Sequence, residues 1–68
     1  MPTVAELFAF ENEHPRHTGR KEVLILDELG VKPARYYQLL LHAATSPEGV
    51  RLDPLLCGRL RSRRRTAA

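Results

Sequence analysis

Two clusters of side chains in this sequence have the chemistry to grip a polyanion and read its edges. The first is Lys32, Ala34, Arg35, Tyr37 and Gln38, which follows closely on Gly30. A guanidinium fits the O6/N7 edge of guanine and a carboxamide the N6/N7 edge of adenine, so Arg35 and Gln38 are candidates for base contacts. Ala34 offers a methyl to a thymine methyl, and Tyr37 borders the same surface. Lys32, nearest the start of its helix, suits a phosphate, which adds affinity but no sequence information. The second cluster is Arg59, Arg61, Arg63, Arg64 and Arg65. Arg59/Arg63 and Arg61/Arg65 are spaced i, i+4, so a helix here carries two basic rows that repel one another until an anion neutralises them. Such a tail is expected to fray alone and to order on phosphates. A merely solvated basic tail is the plainer alternative.

The charge distribution agrees with a polyanion partner for the second half. The formal net charge of +3 divides into −3 over residues 1–31 and +6 over residues 32–68. Other chemistries find little support. His14, His17, His42 and Cys57 are metal-capable types, but His14-Pro15-Arg16-His17 interrupts a helix and no second cluster completes a zinc spacing. Cys57 lies among Leu55, Leu56 and Leu60, which suits a buried thiol better than a nucleophile. No glycine-rich phosphate loop follows a strand. The chain is therefore read as a non-enzyme with no cofactor, no metal and no catalytic residue.

These clusters need elements to hold them, and the sequence supplies start and stop signals for an all-α domain of three to four helices spanning residues 1–68. Thr3-Val4-Ala5-Glu6 has the form of a capping box, so a first helix is expected over about Val4–Glu13, ended by Pro15, with Val4, Leu7 and Phe8 as its buried stripe. Thr18 caps a second helix of about Gly19–Leu29, in which Val23, Leu26 and the pair Ile25/Leu29 repeat with helical period. The unbroken run Val23-Leu24-Ile25-Leu26 also allows a short strand, which the flanking charges disfavour.

Gly30 ends the second helix, and Pro33 starts a third over about Pro33–Ala44 with Tyr36, Leu39, Leu40 and His42/Ala43 inward. Ser46-Pro47 closes it. Asp53-Pro54 starts a basic C-terminal helix, about 54–65, with Leu55, Leu56 and Leu60 on its apolar side and Leu52 just before the cap. Residues 22–41 then fit a helix-turn-helix, within a motif spanning about 19–44: Leu29-Gly30-Val31 forms the turn, and Tyr36 and Leu39 anchor the second helix. Leu26 departs from the pattern, which favours a small residue where the helices cross. An ordinary αα-hairpin in a bundle has the same turn glycine and buried stripes.

Several of these residues resemble a known family. Phe10-Glu11, Arg16-His17, Gly19, Lys21-Glu22, Leu29-Gly30-Val31, Ala34-Arg35-Tyr36-Tyr37-Gln38-Leu39-Leu40, Asp53-Pro54-Leu55-Leu56 and Arg59-Leu60-Arg61 are similar to a family of small actinobacterial and actinophage proteins of unknown function. The likeness runs from about Leu7 to Arg65. It implies an actinobacterial or phage origin and a helix-turn-helix-like core, with no established activity. The chain departs from the family at His14-Pro15, where members have consecutive tryptophans, and at Lys32-Pro33, where members place a serine.

The leading expectation is a small sequence-specific regulator of double-stranded DNA, acting in transcription or as an excision cofactor. Its third helix enters the major groove while the C-terminal arginines track phosphates. A module of this size buries roughly 600–1,000 Å² on DNA, so high affinity calls for a homodimer or several copies. The rival is a helical protein-interaction module that binds transcription machinery or another regulator through Glu6, Glu11, Glu13, Asp27 and Glu28. A lone Cys57 fits a reducing cytosol, and Leu39–Ala44 falls far short of the ~20 apolar residues a membrane span needs. Without a basic-then-apolar leader at the N-terminus, the expected location is cytoplasmic.

Overall fold

The computed structural model describes residues 1–67, with side chains through Ser62. Its described residues form five helices: α1 (Val4–Glu13), α2 (Gly19–Leu24, prolonged by a π-helical turn Ile25–Leu29), α3 (Pro33–Thr45), α4 (Pro47–Leu52) and α5 (Pro54–Ala67). Four of the five starts, that of α4 among them, are fixed by a side chain that answers the orphan amides of a first turn. Thr3 Oγ1 accepts the Glu6 amide at 3.1 Å while Glu6 Oε1 accepts the Thr3 amide at 2.8 Å, completing the capping box. Thr18 Oγ1 accepts the Lys21 amide at 3.1 Å. Asp53 Oδ1 accepts the Leu56 amide at 3.1 Å.

α4 has no counterpart among the sequence expectations. Ser46-Pro47 reads as a stop, and it is also a start. The Ser46 hydroxyl donates to the Ala43 carbonyl at 2.8 Å and accepts from the Gly49 amide at 3.1 Å, so one side chain ends α3 and caps α4. Gly49 permits the tight fold-back, because a Cβ there would run into the Ala43 carbonyl and press on Phe8.

The core gathers around α3, which packs on α1, α4, α5 and the π turn. Leu7, Phe8 and Phe10 of α1 meet Tyr36, Leu40, Ala43 and Ala44 of α3 and Leu56, Cys57 and Leu60 of α5. Four positions around α3 and α5 differ from the sequence reading. On α3, Leu40 is the fully buried partner of Tyr36 and Leu39 only half-buried, while His42 faces solvent. On α5, Leu55 is 80% exposed, and Leu52 before the cap is 52% exposed. Leu56, Cys57 and Leu60 already supply the single buried side that a helix on a small core can offer. Burial raises the Cys57 thiol pKa, as expected of a core sulfur. α5 also continues to Ala67, two residues past the expected end.

Candidate nucleic-acid interface

α2 decides how α3 is presented, and its inner face is not the one its apolar residues mark out. Val23 and Leu26 are 60% and 55% exposed, whereas Ile25 and Lys21 are fully buried. Lys21 Nζ donates to Glu11 Oε1 at 2.8 Å, and the Tyr36 hydroxyl donates to the same oxygen at 2.7 Å. Lys21 Nζ also lies 5.9 Å and 5.6 Å from the ring centroids of Tyr36 and Tyr37, where an ammonium is attracted to a π face. A buried charge requires such a partner, so the network fixes which side of α2 turns inward. Lys21, Ile25 and Leu29 then follow one another four apart, a row that a π turn, wider than an α turn, keeps facing α3. Val23 and Leu26 are left outside. Leu26 is therefore not at the close crossing, and its size there poses no obstacle.

Gly30 closes the π turn in the left-handed region at φ 69° and donates its amide to the Leu26 carbonyl at 3.0 Å. Val31 and Lys32 lead directly into α3, with Pro33 at its first turn. On that helix Lys32, Ala34, Arg35 and Gln38 are all exposed. Arg35 and Gln38 are three apart, so they share one outward ridge that His42 continues a turn later. No acidic residue occurs between Glu28 and Glu48, so nothing on α3 itself neutralises that ridge. The Arg35 guanidinium lies 3.9 Å from the Met1 sulfur, a weak acceptor that leaves its donor fork available.

Tyr37 stands apart from this ridge. It is half-buried, its hydroxyl shares a hydrogen bond of 2.9 Å with His17 Nδ1, and its ring meets those of His17 and Tyr36 edge-on. Tyr37 lines an open cleft with His17, Thr18, Gly19 and Glu22. Tyr37 thus orients the loop before α2 more than it extends the ridge.

The two described arginines of α5 do not share one surface. Arg59 and Arg61 are two apart, which places them about 200° apart around a helix. Arg59 Nη2 reaches Asn12 Oδ1 at 3.4 Å, and Asn12 in turn donates to Asp53 Oδ2 at 3.2 Å, so Arg59 belongs to the seam between α1 and α5. Arg61 is exposed on the opposite flank. Arg59 and Arg61 thus lie on different flanks of α5. The side chains of Arg63, Arg64 and Arg65 lie outside those described.

The acidic face of the rival reading is likewise reduced. Glu11 is buried in the Lys21–Tyr36 network and Glu6 is engaged with Thr3, leaving Glu13, Asp27 and Glu28 exposed. The Glu11–Lys21–Tyr36 network is the feature that sequence reasoning missed, since Glu11 is placed there on an exposed acidic face and Lys21 enters only the charge sum. Its signal is faint: two opposite charges ten residues apart, on the inward faces of successive helices. His14 packs against the Phe10 ring at 4.7 Å, in the place the family resemblance assigns to tryptophan. Among the described residues, no group of three or more His, Cys, Asp or Glu side chains could hold a metal ion, and no helix is long and apolar enough to cross a membrane.

The architecture defines a small all-α protein with a basic helix presented on its surface. The chain belongs to the family described as Protein of unknown function (DUF3263), whose model matches residues 3–68. No curated protein and no solved structure matches it.

Proposed function

We propose that this chain is a DNA-binding regulator that lays α3 in the major groove as the second helix of a helix-turn-helix. The observation that supports this reading is the outward ridge of α3. It carries Lys32, Arg35 and Gln38 in a stretch without acidic residues, while the opposite side of the same helix is locked into the core. Thirteen residues of helix span roughly 20 Å, and a single helix fits a groove about 12 Å wide. Arg35 and Gln38 take the base-reading roles, and Lys32 meets a phosphate at the helix start. Arg61 adds a phosphate contact from α5, whereas Arg59 is held back by Asn12. Actinobacterial or phage DNA is the natural source of the target, following the family resemblance.

The test is a fluorescence-anisotropy titration of duplexes selected from random sequence, repeated over a range of salt. Arg35→Ala and Gln38→Ala each lower affinity for the selected duplex by about 1–3 kcal/mol, roughly five- to 150-fold, and relax its sequence preference. Lys32→Ala and Arg61→Ala weaken binding to all duplexes alike and flatten the salt dependence. Failure to bind any duplex at low salt defeats the reading. Indifference of binding to Arg35 and Gln38 defeats its major-groove part.

A further inference from the structure

Residues 1–31 are acidic on balance, yet their three basic side chains, Arg16, Arg20 and Lys21, all line one cleft. It lies between the end of α1 and the start of α2 and has a volume of about 310 Å³. Glu13 is the one carboxylate in its lining, beside His14, whose Nε2 is 3.9 Å from Glu13 Oε2. Lys21 contributes no open charge, because it is buried against Glu11. Arg16 and Arg20 are different. Both are exposed, and neither side chain makes an ion pair or hydrogen bond among the described residues. Two uncommitted guanidiniums therefore border one concavity, with a single exposed carboxylate against them.

The backbone under each arginine is fixed by the residue that follows it. His17, after Arg16, shares a 2.9 Å hydrogen bond with the Tyr37 hydroxyl. Lys21, after Arg20, donates to Glu11 at 2.8 Å, and its amide donates to Thr18 Oγ1. The two side chains thus rise from anchored positions, which lowers the ordering cost of gripping a ligand. Thr18 lines this cleft and the Tyr37 cleft alike, so the site adjoins α3 at Tyr37, one residue before Gln38 of the outward ridge.

We propose that this cleft binds a phosphate group between the Arg16 and Arg20 guanidiniums. A guanidinium presents paired N–H donors that match phosphate oxygens, and two of them grip one group more firmly than either alone. A volume near the lower limit of ligand pockets, roughly 300 Å³, suits one such group rather than a whole cofactor. The phosphate comes from the backbone of duplex DNA alongside the groove that α3 enters. That source rests on the proposed function, whereas the affinity for phosphate does not. Free phosphate offers the same chemistry.

Two measurements separate these sources. NMR of the full chain follows the Arg16 and Arg20 Nε–H groups as inorganic phosphate replaces chloride at constant ionic strength. In parallel, the selected duplex is titrated over a range of salt. Each phosphate contact contributes about 0.9 to the slope of log affinity against log salt. Arg16→Gln and Arg20→Gln each weaken binding to every duplex by about fivefold and leave most of the slope, since the remaining guanidinium still covers the phosphate. The double variant lowers the slope by about 0.9, the value for one phosphate. Glu13→Gln moves the other way and tightens binding. These effects on the duplex assign the phosphate to the DNA backbone. Saturable shifts with inorganic phosphate that the double variant abolishes, in a chain that binds no duplex, keep the site for free phosphate and defeat the proposed function. Variants that match wild type in both measurements overturn the site and leave the α3 reading intact. A slope lowered by about 1.8 in the double variant also overturns it, because the arginines then hold two separate phosphates.

Discussion

The two faces of α3 treat their polar side chains in opposite ways. On the inner face, Tyr36 donates to a buried carboxylate already bound to a buried ammonium, and every group in the trio is committed. On the outer face, Lys32, Arg35 and Gln38 stand in solvent on a ridge clear of the core. The contrast teaches what each face is for. Polar groups that specify the fold are desolvated and mutually satisfied, and among the described residues no buried side-chain nitrogen or oxygen lacks a partner. Polar groups left in water contribute little to stability and are free to recognise something else. Substitutions on the two faces should therefore separate folding from recognition.

The largest expected effect is on the inner face. Glu11→Ala strands the Lys21 ammonium, and removing one partner of a buried pair costs about 3–5 kcal/mol. A domain of 68 residues has a total stability of roughly 3–10 kcal/mol, so this variant should lose about a third or more of it, read as a strongly lowered urea midpoint. The combined change Glu11→Leu, Lys21→Met and Tyr36→Phe removes every member of the trio, and should lie much closer to wild type in a urea melt. If the triple variant is as damaged as the single one, the penalty does not come from a stranded charge. The pair would then matter through its packing alone.

A smaller loss is expected where α4 folds back onto the end of α3. Gly49→Ala forces a methyl against the Ala43 carbonyl, a backbone atom that cannot move aside, and should cost about 1–3 kcal/mol. Gly58→Ala is its opposite. Nothing lies within 4 Å of a Cβ at Gly58, in the middle of α5, so alanine there should stabilise by roughly 0.5–1 kcal/mol. Urea midpoints that move in opposite directions for the two glycines confirm that close approach, rather than glycine flexibility, sets the α3–α4 junction.

Local signals in the sequence were legible because each is settled within one turn of chain. Thr3 with Glu6, Thr18, Gly30, Pro33 and Asp53-Pro54 all act where their own bonding chemistry places them. Long-range facing was not legible. Val23-Leu24-Ile25-Leu26 is apolar on every side, so periodicity cannot say which side turns inward. A lysine settled it, by reaching Glu11 across the fold. Ser46-Pro47 misled for a different reason: the same pair that ends a helix can cap the next, and only the Gly49 fold-back distinguishes the two. The outward ridge of the candidate site was legible because its residues lie on a helix whose start was marked. For α5, i, i+4 spacing within a row says nothing about the angle between rows, so the separate settings of Arg59 and Arg61 were not legible.

On the outer face the expected effect on folding is near zero. Arg35→Ala and Gln38→Ala should each leave the urea midpoint within about 0.5 kcal/mol of wild type, as exposed positions without buried partners do. Their effect belongs to binding alone. A loss of stability comparable to Gly49→Ala would mean that the ridge is part of the fold, and would break the contrast between the faces.

The smallest effect sharpens the comparison at the acid end, where groups at the surface are neither buried nor idle. The Leu56 amide, and then the Asn12 carboxamide, hold the Asp53 carboxyl below its ordinary value of 3.8. The Glu6 carboxyl is lowered from 4.5, first by the Thr3 amide and then by the Thr3 hydroxyl. A depressed folded-state pKa means that the unfolded chain takes up the proton first. The stability these caps provide is thus fully present above the unfolded values and is lost as pH falls through the folded ones. Stability should decline on acidification below about pH 4.5, with Glu6 beginning to lose its share before Asp53. Asp53→Asn keeps an oxygen for the Leu56 amide but removes the titration, as Glu6→Gln does at α1. The double variant should therefore show a shallower fall in urea midpoint between neutral and acid pH than wild type. An unchanged slope would show that the caps hold their helices equally well protonated, and that acid sensitivity arises on the inner face instead.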